Sequence, residues 1–174
     1  MFVLGIDPGV SRCGYGCVER GGGRLRAVAG GVITTSPEEP LPTRLGRLSL
    51  ELEALMDELA PDVVAVERVF FQTNARTAMS VGQASGLALA AAARAGRTVV
   101  EYTSNEVKQA VAGYGAADKR QVQQMVKLLL DLPALPSPPD AADALALAIC
   151  HATVAPLLER VGRAEARAAA DRRV

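Results

Sequence analysis

The chain is most easily narrowed by what it lacks. It has no tryptophan, three tyrosines and three phenylalanines, so aromatics make up only 3% of its 174 residues and each ring outside the core is worth locating. It also lacks net charge: 19 basic and 19 acidic residues cancel. Bulk charge is therefore no argument for nucleic-acid binding, and any basic groove must be read locally. Cysteine is scarce. Cys13, Cys17 and Cys150 make no disulfide scaffold, because in a strand Cys13 and Cys17 would share a face with Cα atoms roughly 13 Å apart, beyond bridging distance. Reduced core thiols fit a cytoplasmic protein. The apolar opening at residues 2–6 has no basic flank and ends at Asp7, unlike a signal peptide. The longest weakly polar run, residues 144–158, contains His151 and Pro156 and falls short of the ~18 residues of a membrane span. A soluble cytoplasmic protein with no membrane partner is expected.

What is present suits one globular domain: 49% hydrophobic, 22% charged, mean hydropathy +0.17. Residues 2–6 read as a buried strand stopped by Pro8-Gly9, and residues 13–20 and 25–35 as two more strands around the Gly21-Gly22-Gly23 turn. Leucines at 45, 48, 52, 55 and 59 with Met56 predict a helix over 42–59. Strands follow at 63–66 and 98–102, and an Ala-rich helix at 75–95. Thr103 with Glu106 predicts a capping box opening a short helix to 112. Helices over 117–131 and 140–159 complete an α/β fold, a mixed five-stranded sheet with helices on its faces. Residues 1–160 are expected to form the domain, and 161–174, arginine-rich without an apolar stripe, a flexible basic tail.

Four acids stand out against this frame. Asp7 closes an apolar strand, Glu67 follows another, and Asp140 and Asp143 share one face of the last helix's first turn at i and i+3. Ala141, Ala142 and Ala144 would let that turn approach a sheet closely. Singly, each acid has an ordinary explanation: Asp140 as a helix cap, Asp7 as a turn former, Glu67 as a partner of Arg68 or Arg76. Acids at the ends of buried strands are costly unless compensated, and a cation compensates best. Together the four make an all-oxygen site for a hard ion such as Mg²⁺ or Mn²⁺. Two such ions ~3.5–4 Å apart suit phosphodiester hydrolysis, with Asp7 bridging, Glu67 holding one ion and Asp140 with Asp143 the other. No side-chain base is then required. His151, the only histidine, lies roughly 12 Å along the helix from Asp143 and is expected to have a structural partner instead.

The segments GIDPG at 5–9, AVERVFF at 65–71, VGQASG at 81–86, EVKQAVAGYG at 106–115, DKRQVQQMV at 118–126 and DAADALALAI at 140–149 closely resemble the RuvC family of crossover junction endodeoxyribonucleases. The resemblance covers about residues 1–155. It implies a ribonuclease H-like fold, a homodimer, and resolution of four-way (Holliday) DNA junctions by two symmetric nicks in recombination and repair. It implies loading by the RuvA–RuvB branch-migration complex, and it puts the catalytic carboxylates on Asp7, Glu67, Asp140 and Asp143. Two Mg²⁺ per active site, with Mn²⁺ as a substitute, are the expected cofactors.

Lys108 and Lys119 resemble family positions that contact substrate phosphate, and Lys119 is also expected to serve catalysis. Arg76 and Arg120 complete the expected DNA-binding set, Arg120 extending the same basic track with Lys127. Phe70 and Phe71 lie in the polar loop after Glu67, where a core role is awkward; the family's base-stacking phenylalanine matches Phe70 best, with Phe71 a close rival. Ala78, Gly82, Gly86 and Ala90 form a smooth stripe suited either to the chain's own sheet or to a symmetry mate, and the resemblance favours the latter. An actin-type ATPase also opens with a strand and Asp-x-Gly but needs two lobes, which 174 residues cannot supply. A catalytically dead junction binder would not need four acids that repel DNA. Another ribonuclease H-like nuclease is the nearest competing function.

Overall fold

The computed structural model describes the backbone of residues 1–68 and 75–171 and the side chains of residues 1–68 and 78–156. Three strands, β1 (Phe2–Asp7), β2 (Arg12–Gly21) and β3 (Arg24–Thr34), form an antiparallel meander. Its second turn needs glycine, since Gly22 and Gly23 have φ of 58° and 80°. The chain continues through α1 (Leu41–Leu59), β4 (Val63–Glu67), α2 (Ala75–Arg94), β5 (Thr98–Tyr102), α3 (Ser104–Ala112), α4 (Lys119–Leu129) and α5 (Pro139–Asp171). The sheet order is β3-β2-β1-β4-β5, with β1, β4 and β5 mutually parallel. This is the mixed five-stranded, ribonuclease H-like arrangement expected.

Strand alternation divides the core. Leu4 and Ile6 of β1, Val64 and Val66 of β4, and Cys13 and Cys17 of β2 face α1 and α2, where Leu48, Leu52 and Met56 are buried. Val3, Val18 and Ala65 face α3, α4 and α5. All three cysteines are free and buried. Among the described residues no helix is long and apolar enough to cross a membrane.

Helix α5 touches the sheet backbone to backbone. A Cβ at Gly5 would lie 2.0 Å from the Ala144 carbonyl oxygen, and one at Gly14 2.2 Å from that of Asp140. Glycine at 5 and 14 is therefore the condition for this approach, and the buried Ala141, Ala142 and Ala144 are its other half. The capping box at Thr103 and Glu106 forms as expected. A second one, Asp118 with Gln121, starts α4 at Lys119, two residues later than the sequence suggested. The last helix is longer than expected: its backbone stays helical to Asp171 rather than stopping near 159. The lack of an apolar stripe predicts little packing for this stretch, but Ala, Arg and Glu sustain a helix regardless.

Candidate active site

Parallel pairing of β1 with β4 aligns Ile6 with Val66, so Asp7 and Glu67 end neighbouring strands at one sheet edge. The first turn of α5 crosses the same edge, clamped by its contact with Gly14, and brings Asp140 and Asp143 from the other side. The four acids predicted from the sequence thus meet. Arg12 donates from Nε and Nη2 to Asp140 Oδ2 at 3.0 and 2.7 Å. Lys119, the first residue of α4, donates from Nζ to Asp143 Oδ2 at 2.6 Å.

Charge crowding shows in the protonation equilibria. Burial, reinforced by Glu67, Asp143 and Asp140, pushes the Asp7 carboxyl up to about 7. Glu67 is also raised, first by burial and then by Asp143, although a hydrogen bond with Asp7 pulls it back. Asp140 moves the other way because Arg12 hydrogen-bonds its charged form. The bond to Asp143 raises Lys119, which keeps its charge. A cleft of about 270 Å³ opens beside these groups, lined by Glu67, Lys108, Lys119 and Asp143 among others.

Of the remaining predicted residues, Arg120 is exposed on the first turn of α4. Phe70 and Phe71 lie outside the described residues, as does the side chain of Arg76, whose backbone begins α2. His151 is buried with Nδ1 2.8 Å from the Tyr102 hydroxyl, the structural partner expected, and burial lowers its pKa. Sequence reasoning missed Arg12. Its pairing depends on α5 docking against β2, and no spacing within the chain encodes that contact.

A family model described as crossover junction endodeoxyribonuclease RuvC matches residues 3–151. The chain belongs to the RuvC family. The crossover junction endodeoxyribonuclease RuvC of Chloroflexus aggregans is 56% identical over 162 residues, covering 93% of this chain and 99% of that protein. The RuvC of Rhodococcus jostii is 53% identical over 174 residues, 99% of this chain and 92% of its own. Thermus thermophilus RuvC, solved in complex with Holliday junction substrate, superposes with a TM-score of 0.85 at 42% identity, covering 90% of this chain and 96% of that one. A yeast mitochondrial Holliday junction resolvase shares the fold at a TM-score of 0.67 and 16% identity.

RuvC proteins are metal-dependent nucleases, and this RuvC chain is one. Among the described residues no three acidic, cysteine or histidine side chains close into a metal cage; Asp140 and Asp143 are paired with Arg12 and Lys119. The donor chemistry nonetheless fits. Every donor is a carboxylate oxygen, and Asp7, raised first by burial and then by its acidic neighbours, is a group whose charged form a hard divalent cation would favour.

Proposed function

We propose that this chain resolves four-way DNA junctions by paired symmetric nicks, hydrolysing one phosphodiester at each of two active sites, in recombination and repair. The reading rests above all on the convergence of Asp7, Glu67, Asp140 and Asp143 at one sheet edge, beside a cleft lined by Lys108 and Lys119. Two Mg²⁺, replaceable by Mn²⁺, would be held there: Asp7 shared, Glu67 serving one ion, Asp140 and Asp143 the other. Held by these carboxylates, such ions would supply Lewis-acid stabilisation for the hydrolysis.

The chain's own residues do the rest. Lys119 is anchored at the start of α4, where its ammonium and the helix N-terminus both favour a phosphate oxygen. Lys108 and Arg120 extend that attraction along the strand, as does Arg76 from the start of α2. Phe70, or in its place Phe71, stacks on a base exposed near the crossover, where unstacking is least costly. The domain of residues 1–160 carries this chemistry, and the basic segment 161–174 adds diffuse attraction to DNA.

Two equivalent strands call for two sites, hence a homodimer. Support comes from α2: Ala84, Ala88, Ala91 and Ala92 are buried against the core, whereas a Cβ added at Gly82 or Gly86 would meet nothing within 4 Å among the described residues. The open stripe suits a second copy. The RuvA–RuvB branch-migration complex is the proposed partner and the cytoplasm the proposed location.

The test is a cutting assay on a mobile four-way junction, a linear duplex and an RNA:DNA hybrid, in Mg²⁺, in Mn²⁺ and in chelator. Paired nicks on the junction alone, lost in chelator, are expected. Preference for the hybrid would replace the junction with another substrate, and cutting in chelator would remove the metal site.

A further inference from the structure

The carboxylates are flanked by cations on two sides, and the proposed function uses only one. Lys108 and Lys119 lie toward β4 and β5. Toward β2 and β3 the same sheet edge carries the turn Val10-Ser11-Arg12, the end of β3 and the start of α1. Arg44, on the first turns of α1, donates from Nη2 to Ser11 Oγ at 2.5 Å and from Nε to Thr35 Oγ1 at 2.9 Å. Thr35 is itself buried and donates to the Val10 carbonyl at 2.6 Å. The guanidinium is thus fixed by two hydroxyls, yet among the described residues it has no carboxylate partner. Most other arginines that the structure orders so firmly, Arg12, Arg26, Arg47 and Arg94, each hold an acid.

Arg12 follows Ser11 directly. Its Nε and Nη2 spend two of the five guanidinium donors on one Asp140 oxygen, leaving three free. Its side chain is 49% exposed. Strands lie ~4.8 Å apart, so the end of β3 is about 10 Å from Asp7, within a few nucleotide steps of ~3.4 Å rise each. An ordered arginine without a counter-charge and, at the same strand end, one with spare donors each offer the paired N–H geometry that a phosphodiester accepts.

We propose that Arg44, held by Ser11 and Thr35, and Arg12 beside it form a second backbone-phosphate subsite, which grips the cleaved DNA strand a few nucleotides from the cut on the β2–β3 side. The strand then crosses the carboxylates between two cationic grips, Arg12 and Arg44 on one side and Lys108 and Lys119 on the other. This inference rests on the proposed function for the identity of the strand, though not for the phosphate chemistry.

The experiment measures DNA affinity in chelator as a function of salt, for wild type, Arg44→Gln and Arg44→Lys, together with a scan of single methylphosphonate substitutions along the cleaved strand. Arg44→Gln is expected to bind several-fold more weakly and to lower the log–log salt slope by about one, while Arg44→Lys keeps the slope. The wild-type scan is expected to show a sensitive phosphate a few nucleotides to one side of the cut, a sensitivity that Arg44→Gln loses. An unchanged slope in Arg44→Gln, with both variants melting lower, would make Arg44 a tie between α1 and the turn and overturn the subsite. The wild-type scan needs no variant to fold, and sensitivity confined to the cut would also overturn it. A protein that fails to cut junctions but loses slope in Arg44→Gln keeps the subsite and gives up the junction; one that cuts junctions with an unchanged slope does the reverse.

Discussion

The two faces of the sheet are closed by different means. On the α1–α2 side, Leu48, Leu52 and Met56 of α1 fill the space over Leu4, Ile6, Val64 and Val66, so this helix stands off the strands on flexible side chains. On the α5 side the helix rests on strand backbone at Gly5 and Gly14, with alanines between. The first kind of contact tolerates change because side chains repack; the second does not, because a main-chain atom has nowhere to go. The rigid contact is also the one that sets where Asp140 and Asp143 sit relative to Asp7. Position is therefore specified on the α5 face and bulk stability on the other.

Substitutions on the two faces should separate these roles. The largest expected effect is on chemistry alone: Asp143→Asn should lower the single-turnover cutting rate at least ~10³-fold, ~4 kcal/mol of barrier, while junction affinity measured in chelator is kept or improved as a negative charge leaves. A parallel loss of folding, seen by circular dichroism, would make Asp143 structural. Next comes Gly14→Ala, which drives a Cβ into the Asp140 carbonyl. It should cost about 3 kcal/mol in urea unfolding, the upper end for overpacking, and slow cutting as well, since the displaced turn carries a site residue. The smallest is Leu52→Met on the opposite face, expected to cost under ~1.5 kcal/mol and to leave the single-turnover rate within twofold. A Leu52→Met enzyme slowed as much as Gly14→Ala would erase the distinction between the faces.

The sequence showed one half of this contrast more clearly than the other. Leucine spacing in α1 and the short apolar runs of β1 and β4 are local patterns, and all three elements form where expected. The four acids were legible because carboxylates at the ends of apolar strands conflict with burial. Arg12 and Arg44 were not: Asp140 lies 128 residues from Arg12, and Arg44 is held by Ser11, 33 residues away, together with Thr35. Nothing in the local sequence marks Gly5 and Gly14; only the docked α5 reveals them as contact sites. The absence of an apolar stripe after residue 159 bears on packing rather than on backbone conformation, which is why the helix outruns the expected end.

The α5 face holds the carboxylates buried and crowded together, a cost that a bound cation would relieve. Asp7 is the group to watch, raised from 3.8 to about 7 mainly by burial and then by its acidic neighbours. Between those values the folded chain keeps a proton that the unfolded chain has released, so the stability Asp7 contributes is complete below about pH 4 and is lost as pH rises through about 7. Glu67, also raised, adds to the loss, whereas Asp140, lowered by Arg12, titrates below this window. The decisive measurement is the melting temperature of wild type and Asp7→Asn in chelator from pH 4 to 8. The wild type should fall more steeply across pH 4–7, leaving Asp7→Asn the more stable protein by several degrees at pH 8; parallel curves, or a wild type that gains stability toward pH 8 relative to Asp7→Asn, would contradict the account.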